Sequence, residues 1–161
     1  MNKIERIKTA LSGGKVDKPP ISFWRHFPDI DHRGDLLAPR LIDFARRYDL
    51  DFIKVMPSGL YPVVDWGCRI TRNDNAYDVP KVAEYGVLSR DDWKTLPVID
   101  VTEGAWGEQL KTLDILKSEV GLELPYVETV FSPLTTAVKL AGPERVMADL
   151  RDNPSYLHQG L

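Results

Sequence analysis

The sequence contains a single cysteine, Cys68, and no long apolar stretch. One thiol cannot form a disulfide within the chain, so cysteine usage gives no indication of secretion. The first residues lack the apolar core of a signal peptide, and no apolar run approaches the length that crosses a membrane. We therefore predict a cytoplasmic protein without a membrane partner.

Positive charge is not in excess, because the 21 lysine and arginine residues are outnumbered by 24 aspartate and glutamate residues, which gives a net charge of -3. Such a chain has no long-range attraction for nucleic acid or anionic lipid, although local basic residues can still bind an acidic small molecule. Repeats of fixed period and low-complexity tracts are absent from the sequence, which excludes solenoid and linker classes. The 161 residues are 43% hydrophobic and suffice for one domain with a core.

Strands are predicted at three short apolar runs, residues 21–28, 52–56 and 126–131. The first run ends in Arg25, His26 and a proline, and the other two lead into Ser-Gly and Ser-Pro sequences. We therefore expect each strand tip to form part of the wall of a site.

Helices are predicted around these strands from apolar residues that recur every three or four positions. They cover residues 4–11, 36–48, 106–120 and 133–141, and two more begin at Pro143 and Pro154. Pro39 is expected in the first turn of its helix, where proline is tolerated. Residues 59–100 are predicted to contain an insertion with short strands at 61–64, 68–71 and 82–88.

The alternation of strand and helix predicts an α/β fold with parallel strands, because parallel neighbours need a crossover connection. A (β/α)₈ TIM barrel needs about 250 residues, and three of its strands are recognisable here. Two architectures fit, the N-terminal part of a barrel with an insertion after the second strand or a smaller open sheet. We expect the first, with residues 1–161 forming one partial barrel domain.

Arg25 is the first candidate for a functional role. At the end of an apolar strand it needs an anionic partner, because burying an unpaired cation is costly. That partner is either a ligand or a structural pair with Asp29 or Asp31. His26 is expected on the opposite side of the strand, as a general acid or base or as a hydrogen-bonded structural histidine.

The polar residues that follow also have two interpretations each. Asp29, Asp31 and His32 carry ligand types that suit a divalent metal, but a solvated loop explains them better. Lys54 is either a buried functional lysine or a side chain that extends to the rim of the sheet.

Further candidates lie at the other strand ends. Ser58 and Ser132 offer hydroxyl and backbone N–H groups to a ligand carboxylate or phosphate. Trp24 is suited to line the pocket of an aromatic ligand. Lys139 is expected on the surface and Cys68 in the core.

Four short motifs occur in order along the chain. They are Gly-Lys-Val-Asp-Lys-Pro-Pro at residues 14–20, Trp24-Arg25, Asp-Leu-Asp-Phe-Ile-Lys-Val at residues 49–55 and Phe-Ser-Pro-Leu-Thr-Thr at residues 131–136. Together they resemble the uroporphyrinogen decarboxylase superfamily, which includes corrinoid-linked methyltransferases. The resemblance runs from residue 4 to residue 161 and covers roughly the first half of a barrel of that size.

The resemblance implies a (β/α)₈ barrel with a cleft at the carboxyl ends of its strands, where arginines bind an acidic tetrapyrrole. Arg25 matches the first arginine of that pattern, whereas Asp29 replaces the second. The family's pyrrole-binding carboxylate falls on Ser58 and its active-site tyrosine on Lys139. Ser58 cannot supply a charged acceptor, for which Asp65 is a nearby substitute, so we expect an altered substrate.

The implied function is decarboxylation of an acidic tetrapyrrole or a related polycarboxylate, without cofactor or metal. The expected catalytic residues are Arg25, His26 and Asp29, and the expected substrate-binding residues are Arg25, Trp24, Ser58 and Ser132. One alternative is a corrinoid- or thiol-dependent methyltransferase with zinc on the same barrel. Another is a non-catalytic half-barrel that forms a homodimer or binds a complementary half.

Overall fold

A computed structural model describes residues 1–71 and 77–161. Its Cα positions divide into two compact units. The first unit comprises Met1–Pro57 and Glu108–Thr129, and the second comprises Ser58–Gly107 and Val130–Leu161.

Short strands and longer helices alternate along the described residues. The α-helices are α1 (Lys3–Leu11), α2 (Gly34–Arg47), α3 (Tyr61–Val64), α4 (Gly104–Glu119), α5 (Pro133–Ala141), α6 (Pro143–Asp152) and α7 (Pro154–Gly160), with a 3₁₀ helix at Arg90–Thr95. The strands are β1 (Ile53–Lys54), β2 (Arg69–Thr71), β3 (Lys81–Glu84) and β4 (Tyr126–Val127). The predicted α/β class is therefore correct, and no helix in the described ranges is both long and apolar enough to span a membrane.

The first unit is built on the parallel pair of β1 and β4, in which Ile53 lies opposite Tyr126 and Lys54 opposite Val127. These two strands confirm the predicted runs at 52–56 and 126–131 in shortened form. The Val55 N–H continues the pairing by donating to the Val127 carbonyl at 2.9 Å.

The predicted strand at residues 21–28 is wrong as a strand, although the segment does run beside β1. The Asp51 N–H donates to the Ile21 carbonyl at 2.8 Å, and the Ser22 hydroxyl donates to the Phe52 carbonyl at 2.6 Å. The Ile21 N–H donates instead to the Asp51 carboxylate, at 2.8 Å. Side chains thus replace part of the backbone ladder. Because residue 21 bonds to residue 51 and residue 22 to residue 52, the segment runs parallel to β1.

The core of the first unit lies between these strands and the helices α2 and α4. Its most deeply buried members are Leu37, Ala38, Ala45, Val55 and Leu116. The N-terminus of α2 approaches α4 so closely that a Cβ on Gly34 would lie 2.5 Å from the Glu108 carbonyl oxygen. Glycine is therefore required at the start of α2.

One prediction about these helices needs correction. Pro39 lies beyond the first turn of α2, although it was expected within that turn, and its ring is exposed. On α4, Leu110 is 41% exposed, and the buried residues are Gln109, Thr112 and Leu116.

The second unit corrects the prediction for residues 61–64, which form the helix α3 rather than a strand. Pro62 lies in the first turn, where its fixed φ suits a helix and its missing N–H leaves no hydrogen bond unmade. The antiparallel pair of β2 and β3 confirms the strand at 68–71, and shortens and shifts the one at 82–88. Trp93, only 1% exposed, lies in the core of this unit, and its indole N–H donates to the Asp149 carboxylate at 2.9 Å.

Candidate functional site

Lys54 ends β1 and places a cation at the carboxyl edge of the parallel pair. Its ammonium nitrogen lies 3.8 Å from the centre of the Trp24 ring, a cation–π contact. Across residues 1–71 and 77–161, no salt bridge joins this half-buried ammonium to a carboxylate. The described residues therefore provide no acidic partner for the Lys54 ammonium.

Arg25 adds a second cation beside Trp24. Its guanidinium carbon lies 5.0 Å from the centre of the Phe27 ring, and its Nε donates to the His26 carbonyl at 3.3 Å. The expectation that Arg25 is buried is wrong, because its side chain is exposed. The alternative pairing with Asp29 is not formed either, since no salt bridge within the described ranges involves Asp29, which lies exposed on the next turn.

His26 is half-buried between these basic residues. Burial, and secondarily the charge of Lys54, lowers the pKa of its imidazole. Its Nδ1 atom is buried and, among the described residues, has no hydrogen-bond partner. The ring is consequently held neutral near pH 7.

Glu128 follows β4 directly, and the sequence analysis missed it. Its carboxylate accepts the N–H of Thr129 through Oε1 at 2.9 Å, whereas Oε2 is buried without a hydrogen-bond partner in the described part of the chain. Burial raises the pKa of this carboxyl from 4.5 to about 7, against the opposing effect of the Thr129 hydrogen bond. The signal that could have found it is a lone carboxylate inside the apolar run 126–131.

Metal ligands are not gathered in this region. Among the described residues, no group of three or more histidine, cysteine, aspartate or glutamate side chains is arranged to hold a metal ion. Asp31 is 1% exposed and its N–H donates to the Phe27 carbonyl at 2.8 Å, so the residue belongs to a folded turn and not to the solvated loop that was expected.

The two predicted serines belong to the second unit. Ser58 is 1% exposed, and its buried hydroxyl has no hydrogen-bond partner within the described ranges. Ser132 caps α5, because its Oγ accepts the Thr135 N–H at 3.2 Å and lies 2.9 Å from the Thr135 hydroxyl. The structure therefore gathers Trp24, Arg25 and His26 with Lys54 in the first unit, and the roles of Ser58 and Ser132 stay predictions.

A family profile described as uroporphyrinogen decarboxylase (URO-D) matches residues 2–161. The chain belongs to this family. The membership predicted from the four motifs is thus confirmed over nearly the whole chain.

A solved structure, "methyltransferase from Methanosarcina mazei", is similar to this member of the family with a TM-score of 0.80 and 19% sequence identity. The likeness covers 99% of this chain and 51% of that one, so the chain spans about half the length of the solved structure. At this identity the likeness shows the fold. A comparison with curated proteins gives no match.

Asp65 and Lys139, the second of which stands at the position of the family's tyrosine, have structural surroundings of their own here. Asp65, the suggested substitute acceptor, accepts the N–H groups of Ala105 and Trp106 at 2.9 and 3.2 Å and so caps the start of α4. Lys139 is half-buried, with its nitrogen 4.6 Å from the centre of the Phe131 ring, and burial lowers its pKa. The prediction of a surface lysine is therefore wrong.

Proposed function

We propose that the carboxyl edge of β1 binds a carboxylated small molecule, and that the complete protein is a cytoplasmic lyase that decarboxylates an acidic tetrapyrrole or a related polycarboxylate. The observation that carries this proposal is the Lys54 ammonium, which lies over the Trp24 ring without an acidic partner among the described residues. A half-buried cation is stabilised by an anion, and a substrate carboxylate would supply it.

The neighbouring side chains suit the same ligand. Arg25 offers a planar guanidinium that binds carboxylates in a bidentate manner, and its exposure leaves it accessible. The Trp24 ring is 52% exposed and offers an apolar face to a pyrrole. Lys54 takes the role that the resemblance gave to a second arginine, because Asp29 at that position carries the wrong charge.

The proposed chemistry needs no cofactor. When a carboxylate leaves as CO₂, its bonding electron pair is delocalised into a protonated pyrrole ring of the substrate. The protein contributes fixed charges that position the carboxylates, and such preorganised electrostatics account for a large part of many enzymatic rate enhancements. His26 and Asp29 are proposed to complete the polar wall.

The fold supports a barrel for the complete protein. The 21–27 segment, β1 and β4 run in the same direction and are adjacent in chain order, as neighbouring strands of a (β/α)₈ barrel are. The likeness to half of a longer solved structure agrees with this interpretation. Residues 1–161 are accordingly proposed to be the N-terminal part of a barrel domain.

Titration with uroporphyrin I, an octacarboxylate whose fluorescence reports binding, tests the site. Lys54→Met is expected to weaken binding by about tenfold, since a hydrogen bond to a charged group contributes roughly 1.5–3 kcal/mol and tenfold corresponds to about 1.4 kcal/mol. Lys15→Met is the matched control, because Lys15 is exposed on the loop after α1. If both variants lost the same affinity for uroporphyrin I, binding would depend on net charge alone, and the proposal would fail.

Methyl transfer is the second candidate, favoured by the similarity to a methyltransferase fold. Zinc would lower the pKa of the accepting thiol, and a corrinoid would carry the methyl group. The described residues do not fit the metal, since they contain no set of three suitable ligands, so no step is derived through it. Zinc-dependent demethylation of methylcobalamin by a small thiol in the presence of the protein, with no conversion of uroporphyrinogen, would replace the lyase proposal.

A further inference from the structure

Arg6 and Asp51 form a buried ion pair in the first unit, in which Nη1 of Arg6 donates to Oδ1 of Asp51. Asp51 is 1% exposed and Arg6 is 7% exposed. The same guanidinium donates through Nε and Nη2 to the two carboxylate oxygens of Asp17, at 2.8 and 2.9 Å. A buried ion pair is often no more stabilising than apolar residues of the same volume, so stability alone does not explain it.

The second carboxylate oxygen of Asp51 holds the segment of residues 21–25, which carries Trp24 and Arg25. This oxygen, Oδ2, accepts the N–H of Ile21 at 2.8 Å. The Asp51 N–H donates in return to the Ile21 carbonyl, also at 2.8 Å. Both backbone polar groups of Ile21 are therefore bound by one residue, whose carboxylate is in turn oriented by Arg6.

The segment 21–25 depends on such bonds for its alignment with β1. Its residues all lie in the described part of the chain and belong to no strand, so a continuous backbone ladder does not align them. The Ser22 hydroxyl adds one further bond, to the Phe52 carbonyl at 2.6 Å. A hydrogen bond to an ionised carboxylate is roughly twice as strong as a neutral one, which makes the bond from Ile21 to Asp51 the firmest of these contacts.

The alignment determines which side chains meet further along the two segments. Trp24 follows Ile21 by three residues, and Lys54 follows Asp51 by three residues. Because the segments run parallel, the bonds between Ile21 and Asp51 bring Trp24 and Lys54 to the same level. The Lys54 ammonium accordingly lies 3.8 Å from the centre of the Trp24 ring, and both residues line one small cavity together with Arg25.

We propose that the pair of Arg6 and Asp51 is a positioning element of the anion site, which fixes residues 21–25 so that Trp24 and Arg25 lie beside Lys54. Neither member of the pair touches the ligand. This inference rests on the proposed function, because it concerns the same site. Groups that are already in place when the ligand arrives bind it more tightly, since binding does not have to order the segment.

The test compares Asp51→Asn with Asp17→Asn. Each variant removes one charged partner of Arg6, but among the described residues Asp17 has no hydrogen bond to residues 21–25. Reductive methylation with ¹³C-formaldehyde gives every lysine an NMR signal, and the signal of Lys54 is identified by its absence in Lys54→Met. The ring current of Trp24 should shift this signal upfield, a signature that a purely structural ion pair would not control.

We expect Asp51→Asn to lose the upfield shift and to bind uroporphyrin I about tenfold more weakly, the loss also expected of Lys54→Met. Asp17→Asn should keep the upfield signal and bind within about twofold of wild type. Ser22→Ala leaves the ion pair intact and removes only the neutral bond to Phe52. It should reduce the upfield shift in part and weaken binding roughly threefold.

The outcomes separate this inference from the proposed function. If wild type binds uroporphyrin I and Asp51→Asn keeps both the affinity and the upfield signal, the ion pair only stabilises the fold, while the proposed function stands. A lost upfield shift with unchanged affinity would likewise overturn the inference. If Asp51→Asn does not fold, Ser22→Ala decides, and wild-type values for it would overturn the inference. If wild type does not bind uroporphyrin I, the proposed function fails and this inference fails with it.

Discussion

Glu128 makes the stability of the first unit depend on pH, because its pKa differs between the folded and the unfolded state. Its pKa rises from 4.5 to about 7 on folding, so between these values the folded state binds more protons than the unfolded state. The stability contributed by this group is therefore complete below pH 4.5 and is lost as pH rises through 7. Most buried carboxylates that accept several hydrogen bonds behave in the opposite way.

We expect the free energy of unfolding to fall by about 2 kcal/mol between pH 5 and pH 8 through Glu128, after allowance for its partial exposure. Glu128→Gln should remove this part of the slope, because glutamine does not titrate. Urea unfolding of wild type and variant at the two pH values measures the difference. Parallel slopes in the two proteins would show that Glu128 has an ordinary pKa.

His26 and Lys54 illustrate what a sequence reveals at the scale of single residues. The position of Lys54 in a strand was predictable from the apolar run 52–56, whereas the run that contains His26 forms no strand. The cation–π contact of Lys54 was not predictable, because it depends on how a segment 30 residues earlier aligns with β1. The lone carboxylate in the apolar run 126–131 marks Glu128, but the run alone does not specify how far the side chain is buried.

At the scale of elements, Asp65 connects the end of α3 to the start of α4. Its carboxylate accepts two backbone N–H groups that a helix leaves unsatisfied at its first turn. A Cβ on Gly104 would lie within 2.7 Å of the Asp65 carboxyl carbon, so a glycine is needed beside the cap. The contact is confined to the second unit.

Asp65→Ala is expected to destabilise the protein by about 1 kcal/mol, the usual effect of losing a capping side chain. Asp65→Asn should cost less, since its amide oxygen still accepts a hydrogen bond from one N–H. Chemical denaturation followed by far-ultraviolet circular dichroism measures both. A loss in Asp65→Asn as large as that in Asp65→Ala would indicate that the negative charge, and not the acceptor, stabilises α4.

Local signals decided which elements were predicted correctly. The bounds of α5 are those expected, because Ser132, Pro133 and Gly142 provide a cap, a first-turn proline and a terminating glycine. The helix α3 was mistaken for a strand because four apolar residues have no periodicity that separates the two. The segment 21–27 has a strand-like sequence, but its hydrogen bonds depend on the Asp51 side chain.

At the scale of the whole molecule, the parallel pair in the first unit has an open edge. Among the described residues β4 pairs with β1 alone, and Val127 at this edge is 50% exposed. Unpaired strand edges with apolar side chains favour association with another chain. We therefore expect the purified protein to associate in solution, as a homodimer or with a complementary half-barrel, and to exceed its monomer mass of 18.3 kDa.

Val127→Lys is expected to shift the protein towards the monomer, because a lysine at an open edge opposes strand pairing through its charge. Leu122→Lys is the matched control, since Leu122 is 78% exposed on the turn before β4 and lies outside any strand. Light scattering coupled to size-exclusion chromatography measures the masses, and thermal unfolding shows whether each variant stays folded. A wild-type monomer with a sharp cooperative melt would contradict the expectation, because the open edge would then be compatible with an independently stable fold. A monomer produced equally by both lysine substitutions would locate the association away from β4.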